Sequence, residues 1–409
     1  MHRAQTLRLV PRPPGVPEQS RRRVEDLWSG AGSPLHSLHG SVPYLSSTKP
    51  ELPDYFIRRL STKGEVVLDP FCGRGTTALQ ANLLGRIAYA SDLNPLAVLM
   101  TKAKTQPVGL DEVLLRLNEV QFTRPASLAA FQQSFSPFYH SETYREVANL
   151  RSFIQRKRDR VNAFIELLAV SRLHGHTPAY LSGYSFPQFA LPPDRQLVLN
   201  LRRRETPEYR AVAPRIIKKA AELLRDGFTS DFFEASQRNS FDVADARSLA
   251  YLPANSVDLV VTAPPLLENP DYPTSQWIAY WFAGVSAPVG LTRSITFAID
   301  EWRELQRRVL SELLRVVKHD RYVVVEVPEI EVNGEAIALE GVLTAVAAPL
   351  SVSGKRLLVD EVLVNPLHIE KVVRGLPGER PVSKVRSHCV VVFRVSDRSQ
   401  LRARRTPEG

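Results

Sequence analysis

The sequence predicts an α/β fold: a doubly wound, Rossmann-like parallel sheet interrupted by a mainly helical insert. Three observations carry this expectation. Short apolar strands alternate with helices over residues 66–105, the pattern of parallel strands joined by right-handed crossovers. A long stretch of mostly helical periodicity, 108–236, then replaces the alternation. Strand patterns resume from 241 and continue to 395.

Taken in order, residues 1–30 are basic and proline-bearing with little periodicity and read as an arm, partly disordered. Residues 31–107 form the first half of the sheet. Thr48-Lys49-Pro50-Glu51 has capping-box spacing and predicts a helix with Leu52, Tyr55, Phe56 and Leu60 on one face, broken at Lys63-Gly64. A strand at 66–68 runs into a glycine turn, a helix at 76–84 is closed by Gly85, and a strand at 87–90 ends at Ser91-Asp92. Pro95 opens the next helix, where proline is tolerated. Residues 108–236 form the insert, since a connection this long is not a simple loop. Its helices are expected at 111–120, 142–174 and 207–226, around an irregular stretch at 177–193. Residues 237–396 complete the sheet, with strands at 241–244, 257–262, 322–327, 357–364 and 389–395 and helices at 302–317 and 335–348. Residues 397–409 read as a basic tail.

The chain has 409 residues, 44% hydrophobic and 23% charged, enough for one large domain with insertions or for two. No apolar run approaches a bilayer span, so no membrane partner is expected. The first residues lack an apolar signal core, and two cysteines, Cys72 and Cys389, make no disulfide framework or zinc spacing. A reducing cytoplasm is the resulting expectation; a monomer is the expectation from the motif order that the resemblance below implies. The net charge of +10 and a pI near 9.7 favour a polyanionic partner, because each phosphate neutralised releases counterions. A merely solvated basic surface is the competing reading. Basic residues concentrate at 21–23, 156–158, 202–204 and 398–405.

The chemistry-bearing segment is Asp69-Pro70-Phe71-Cys72-Gly73-Arg74-Gly75-Thr76-Thr77, at the carboxyl end of the first strand of the alternation, where open parallel sheets bind ligands. Gly73 and Gly75 permit close backbone approach. Asp92 ends the next strand, a position suited to a carboxylate that accepts two ribose hydroxyls. The loop lacks the third glycine of a dinucleotide fingerprint, and the chain has no Walker-type Gly-Lys-Ser/Thr, which disfavours a phosphate cradle.

This segment resembles the cofactor motif of the DNA amino-methyltransferases, the N4-cytosine and N6-adenine group. The resemblance extends to His36-Ser37-Leu38-His39 through Phe56-Ile57, to Ser91-Asp92-Leu93-Asn94-Pro95, and to Asp245-Ala246-Arg247 ahead of Val257. It covers residues 31–107 and 240–395. It implies a methyltransferase sheet with a terminal antiparallel strand, S-adenosylmethionine as cofactor, and DNA as partner, with RNA as the alternative. By resemblance Asp69 and the Gly73–Gly75 loop hold the methionine part, Asp92 the ribose and Asp245 the adenine, with Phe71, Thr76 and Asn94 also in the cofactor-binding set. Asp92 as a helix cap and Asp245 as a turn residue are the competing readings. The insert then reads as the target-recognition element, with Arg202, Arg203 and Arg204 on phosphates or, alternatively, as a solvated helix end.

The family's second motif is a polar residue, two prolines and an aromatic, which accept the target amine and stack on a flipped base. Here the segment is Thr262-Ala263-Pro264-Pro265-Leu266, with Asn269-Pro270-Asp271-Tyr272 downstream. Ala263 has no acceptor and Leu266 no stacking face. Each loss costs about 1–3 kcal/mol, together roughly two to four orders of magnitude in rate. Three explanations stay open. Thr262 supplies an oxygen while Phe71 or Tyr272 stacks; the chain binds cofactor or nucleic acid without transferring methyl groups; or the substrate differs, as in RNA. The Pro264 carbonyl survives any side-chain change. The candidate catalytic set is Thr262, Pro264, Pro265 and Tyr272. The aromatic run Trp277, Tyr280, Trp281 and Phe282 is expected to pack a helix on the sheet, with the base pocket as the other reading.

Overall fold

The computed structural model describes residues 21–25, 27, 35–42, 48–183, 190–265, 275–287, 299–332, 335–365, 371–373 and 383–397. Among these, ten strands form one sheet: β1 (Arg21–Val24), β2 (Val66–Asp69), β3 (Ile87–Asp92), β4 (Ser240–Val243), β5 (Val257–Thr262), β6 (Val317–Val332), β7 (Glu335–Ala338), β8 (Lys355–Val364), β9 (Lys371–Val373) and β10 (Ser383–Asp397). The path across it runs β1-β8-β10-β6-β5-β2-β3-β4, with β7 on β6 and β9 on β10. β2 is parallel to β3 and β5, and β5 to β6. The last strand, β10, is antiparallel to β6 and β8. The doubly wound sheet with a terminal antiparallel strand is therefore as expected. The chain winds outward from β2 through β3 to β4, then returns on the other side of β2 as β5. That reversal makes the carboxyl ends of β2 and β5 the topological switch point, where such sheets bind ligands.

Strand alternation divides the core. Val323, Val325 and Val327 of β6 pack with Trp302, Val309 and Leu313 of helix Ile299–Val316 and with Leu339 and Leu343 of helix Leu339–Ala347. The opposite face carries Val324 of β6, Val261 of β5 and Val392 of β10 against Leu52, Phe56 and Ile57 of helix Glu51–Leu60. Burial on both faces explains the near-continuous β-branched run of β6.

Between β3 and β4 the chain is helical: Pro95–Thr105, Leu110–Asn118, Ser141–Arg156, Arg160–Val170, Pro193–Arg203, Val212–Leu224 and Ser230–Ser236. These elements share a core of Phe135, Phe138, Val147 and Ile216, which reaches the sheet through Leu79, Leu96 and Met100. The insert is thus continuous with the crossover helices rather than a detached body.

Several local expectations change. Thr48 does not cap its helix; its hydroxyl donates to Glu326 Oε2 at 2.9 Å, and the N-cap, Pro50, has no side-chain bond. The arm read over 1–30 includes β1, parallel to β8, where Arg22 pairs with Glu340 and Arg23 with Glu361. The helix expected over 142–174 is two, because Asp159 caps a new start by accepting from Asn162 N–H at 2.9 Å. Helix Pro193–Arg203 begins where an irregular stretch was expected to end. The segment at 335–348 opens as β7, paired with β6, before turning helical at Leu339.

Candidate active site

The loop after β2 is built on two left-handed glycines, Gly73 at φ +48° and Gly75 at φ +75°. Gly75 is sterically closed as well, since a Cβ there would lie 2.6 Å from Thr101 Oγ1. The loop is stitched to β3: Cys72 N–H donates to Ser91 O at 3.0 Å, and Gly73 N–H to Asp92 Oδ2 at 2.9 Å. Asn94 N–H donates to Asp92 Oδ1 at 2.9 Å, so each Asp92 oxygen is held by one backbone amide. Burial pushes the Asp92 carboxyl up, and those two amides oppose it. Asp92 does not cap helix Pro95–Thr105. Asn94 does, accepting from Leu96 N–H at 3.0 Å, while its buried amide nitrogen Nδ2 has no partner among the described residues.

Asp69 ends β2 and is buried, accepting from Phe71 N–H at 3.2 Å and from Thr262 Oγ1 at 2.7 Å. Burial pushes its carboxyl up to about 6; bonds from Thr262, Phe71 and Thr77 hold it down, and the Asp92 charge adds to the rise. Thr262 ends β5. Its hydroxyl therefore bridges the carboxyl ends of β2 and β5 across the switch point. That bond spends the hydroxyl proton on Asp69 and leaves the Thr262 oxygen its acceptor lone pairs.

Phe71 is partly buried against the helix 299–316 side of the core. Thr76 is buried at the start of helix Thr76–Leu83 and accepts from Arg74 Nε at 3.3 Å. Asp245 follows β4 in a turn, with Ser248 N–H on its carbonyl at 2.8 Å. Arg247 engages both its carboxylate oxygens, at 2.9 Å from Nε. Burial raises the Asp245 carboxyl, but the Arg247 guanidinium outweighs it and the net direction is down.

Beneath the loop lies a basic group that sequence reading passed over. Lys104, fully buried on helix Pro95–Thr105, donates to the Arg74 carbonyl and braces the loop from below. Burial, with the Arg74 charge second, holds its ammonium well below the usual lysine range. His39 is buried beside Gln80, its Nε2 at 2.8 Å from Gln80 Oε1, and burial pushes it down to about 3, so it is neutral. His36 caps a short turn and contacts Gly227 O.

Pro264 is buried and Pro265 half-buried at the exit from β5. The Pro265 carbonyl accepts from Trp302 Nε1 at 3.1 Å, and Trp302 is fully buried. Leu266 and Tyr272 lie outside the described residues. The chain returns at Ser275 on the insert: Ala190 N–H donates to Ser275 O at 2.7 Å and Trp277 Nε1 to Leu191 O at 3.1 Å. Helix Trp277–Ala283 then ends on three consecutive carbonyls, each met by a side chain of the insert. Arg151 Nε donates to Trp281 O at 2.6 Å, Gln155 to Phe282 O at 3.3 Å and Arg158 to Ala283 O at 2.5 Å. The expected aromatic stripe packs on the insert rather than on the sheet, with ring centroids 4.4 Å apart for Phe135 and Trp281 and 5.6 Å for Phe138 and Trp277. The signal for this contact is the Arg-x-x-x-Gln-x-x-Arg spacing at 151–158, of which the sequence reading noted only the basic run at 156–158.

Arg202 and Arg203 close helix Pro193–Arg203, and Arg204 is its left-handed C-cap at φ +55°. All three are exposed, and basic side chains suit a helix C-terminus. No helix among the described residues is long and apolar enough to cross a membrane.

Comparison with known proteins bears on the glycine-loop half. Residues 5–102 match the family model described as DNA methylase, of the N6/N4 methyltransferase type. The type II methyltransferase M.MjaII of Methanocaldococcus jannaschii is 32% identical over 76 residues, 19% of this chain and 14% of that protein. The type II methyltransferase M.MvaI of Kocuria varians is 26% identical over 107 residues, 25% of this chain and 22% of that protein. The alignable part thus spans well under a third of either relative. A putative DNA modification methylase from Thermus thermophilus, solved with S-adenosyl-L-methionine, is 21% identical, with a TM-score of 0.22 over 40% of this chain and 61% of that one. Residues 5–102, which hold the glycine loop and Asp92, are thus similar to the DNA amino-methyltransferases.

Proposed function

We propose that this chain is an S-adenosylmethionine-dependent methyltransferase acting on an exocyclic amine, N4 of cytosine or N6 of adenine, in DNA. One observation carries the reading: Asp69, Gly73 and Asp92 converge at the β2–β5 switch point, where the Pro264-Pro265 turn also leaves the sheet. The donor set fits the cofactor. Two carboxylates flank a glycine loop, and the buried Asn94 Nδ2, without a partner among the described residues, is a donor close to Asp92. When bound, the cofactor supplies a methyl group made electrophilic by its sulfonium charge.

The chain's own residues do the rest. Asp92 accepts from ribose hydroxyls through the lone pairs its two amide donors leave free, and Asn94 donates beside it. Asp69, Phe71, Gly73, Gly75 and Thr76 bind the methionine part, with Thr262 positioning Asp69. Asp245, steadied by Arg247, takes the adenine amine. The Pro264 carbonyl accepts a hydrogen bond from the target amine, Pro265 is pinned by Trp302, and Tyr272 stacks on the base. The insert reads the target, with Arg202, Arg203 and Arg204 on phosphates, and the chain works as a monomer.

Equilibrium dialysis with labelled cofactor tests the binding half: Asp92→Ala should weaken uptake at least tenfold, and no uptake by the parent at millimolar cofactor would sink the proposal. Label transfer to unmodified DNA of mixed sequence, with RNA in parallel, tests the chemistry. The missing acceptor at Ala263 favours a second reading, a cofactor-binding protein that transfers nothing. Uptake without transfer to either polymer would select it.

A further inference from the structure

Helix Pro193–Arg203 is turned inside out. Its buried side chains are polar: Gln196 is fully buried and Asn200 is 4% exposed. Its apolar side chains face outward: Leu197 and Val198 are each 48% exposed and Leu201 is 70% exposed. Helices of globular proteins ordinarily set the apolar stripe against the core. Here hydrogen bonds fix the inner face. Gln196 Nε2 donates to Asn200 Oδ1, and Asn200 Nδ2 to the Pro137 carbonyl, both at 2.7 Å. Rolling the helix to bury the leucines would break those bonds. At about 3.6 residues per turn, Leu197, Val198 and Leu201 form one outward stripe, and Arg195 and Arg202 run along its edge. Over 194–205 the exposed charges are four arginines, at 195 and 202–204, against Asp194 and Glu205. None of these arginines is in an ion pair among the described residues. The helix is also tied to the catalytic half. Ala190 and Leu191, just before it, are hydrogen-bonded to Ser275 and Trp277, beyond the Pro-Pro turn. Leu197 lies about 6 Å and Leu201 about 12 Å along the helix from Pro193.

A solvent-facing apolar stripe edged by unpaired cations fits a polyanion that carries apolar groups between its charges. Duplex DNA is such a partner. Its major groove, about 12 Å wide, admits a helix, thymine methyls offer apolar contact inside it, and phosphates line its edges. We propose that helix Pro193–Arg203 enters the major groove of duplex DNA, with Leu197, Val198 and Leu201 on base edges and Arg195, Arg202 and Arg203 on the flanking phosphates. The inference rests on the methyltransferase reading above, whose target-reading insert it narrows to one helix face. The three apolar residues are then specificity determinants, and they select sites that present thymine methyls. The tie at Ser275 and Trp277 links this groove contact to the segment that follows the Pro-Pro turn.

The test uses the full chain as wild type, as Leu197→Ala with Leu201→Ala, and as Arg195→Gln with Arg202→Gln and Arg203→Gln. These side chains are exposed, so the fold should hold, which circular dichroism checks. Each protein is titrated into fluorescent short duplexes of randomised sequence over a series of salt concentrations, and the bound duplexes are sequenced. Wild type should enrich a sequence preference. The leucine variant should lose about tenfold of that preference at an unchanged salt slope. The arginine variant should weaken binding to all sequences and lower the slope of log K against log salt by about 3. No preference in wild type, an unchanged preference in the leucine variant, or an unchanged slope in the arginine variant overturns the inference. So does a rival occupant: a dimer in sedimentation, or pelleting with phosphatidylserine vesicles, that the leucine variant abolishes while its DNA selection stays intact. If the leucine variant fails to fold, Leu201→Gln alone carries the same expectation, and an unchanged preference there overturns it. The selection needs no methyl transfer. Selective DNA binding without transfer of labelled methyl groups to unmodified DNA overturns the methyltransferase reading and leaves the groove contact standing.

Discussion

Removing the Thr262 hydroxyl should destabilise the protein by an amount that depends on pH, because its partner, Asp69, titrates. Thr262→Val keeps the shape of the side chain and deletes the 2.7 Å bond to Asp69 Oδ1. A hydrogen bond to a charged acceptor is worth about 1.5–3 kcal/mol, and one to a neutral acceptor about 0.5–1.5. Burial raises the Asp69 carboxyl from 3.8 to about 6. Between those values the folded protein binds a proton that the unfolded chain has released. That binding stabilises the fold fully below pH 4 or so, and the contribution is lost as pH rises through about 6. The linkage amounts to roughly 3 kcal/mol, order of magnitude only. Thr262→Val should therefore cost about 1.5–3 kcal/mol at pH 8 and about 1 kcal/mol less at pH 4.5, where Asp69 is protonated. The assay is urea denaturation of wild type and variant at both pH values, with Asp69→Asn as the neutral reference. Equal destabilisation at the two pH values, or an Asp69→Asn variant with the wild-type pH slope, would refute the reasoning.

Two further outcomes follow from the geometry. Gly75→Ala forces a Cβ into a left-handed residue 2.6 Å from Thr101 Oγ1. It should cost at least about 2 kcal/mol of stability, read by urea denaturation, and weaken cofactor uptake, and trimming Thr101→Ala alongside should recover only part, since the φ cost remains. Arg151→Ala with Arg158→Ala removes two of three insert donors from the carbonyls ending helix Trp277–Ala283. Methyl transfer should fall about tenfold or more while cofactor Kd holds, because these residues hold the helix that follows the Pro-Pro loop. Transfer and Kd falling in parallel would contradict a role confined to that loop.

The sheet and its glycine loop were legible because they depend on near neighbours in sequence. Alternating apolar strands, Gly73 and Gly75 at a strand end, and Asp92 at the next one carry their geometry with them. Asn94 before Pro95 likewise reads as a cap from local rules alone, although the sequence left open that Asp92 filled the role. Other elements depended on pairing across the chain. Thr48 and Glu51 have capping-box spacing, yet Glu326 lies on a strand 278 residues away and takes the hydroxyl. Residues 21–24 become strand because β8 offers a parallel edge and because Glu340 and Glu361 neutralise two of their arginines.

By itself, then, the sequence determined a parallel sheet with a helical insert, a glycine loop after β2, and the departure of the Pro-Pro motif at Ala263 and Leu266. Tertiary structure alone decided what surrounds that departure. It turned Thr262 to Asp69, tied Pro265 to Trp302, bound the helix beyond the loop to Arg151, Gln155 and Arg158, and gave the Thr48 hydroxyl to Glu326. The reason is physical. Backbone conformation answers to local sterics, whereas a buried polar group answers to whichever partner the fold brings within about 3 Å, however distant in sequence.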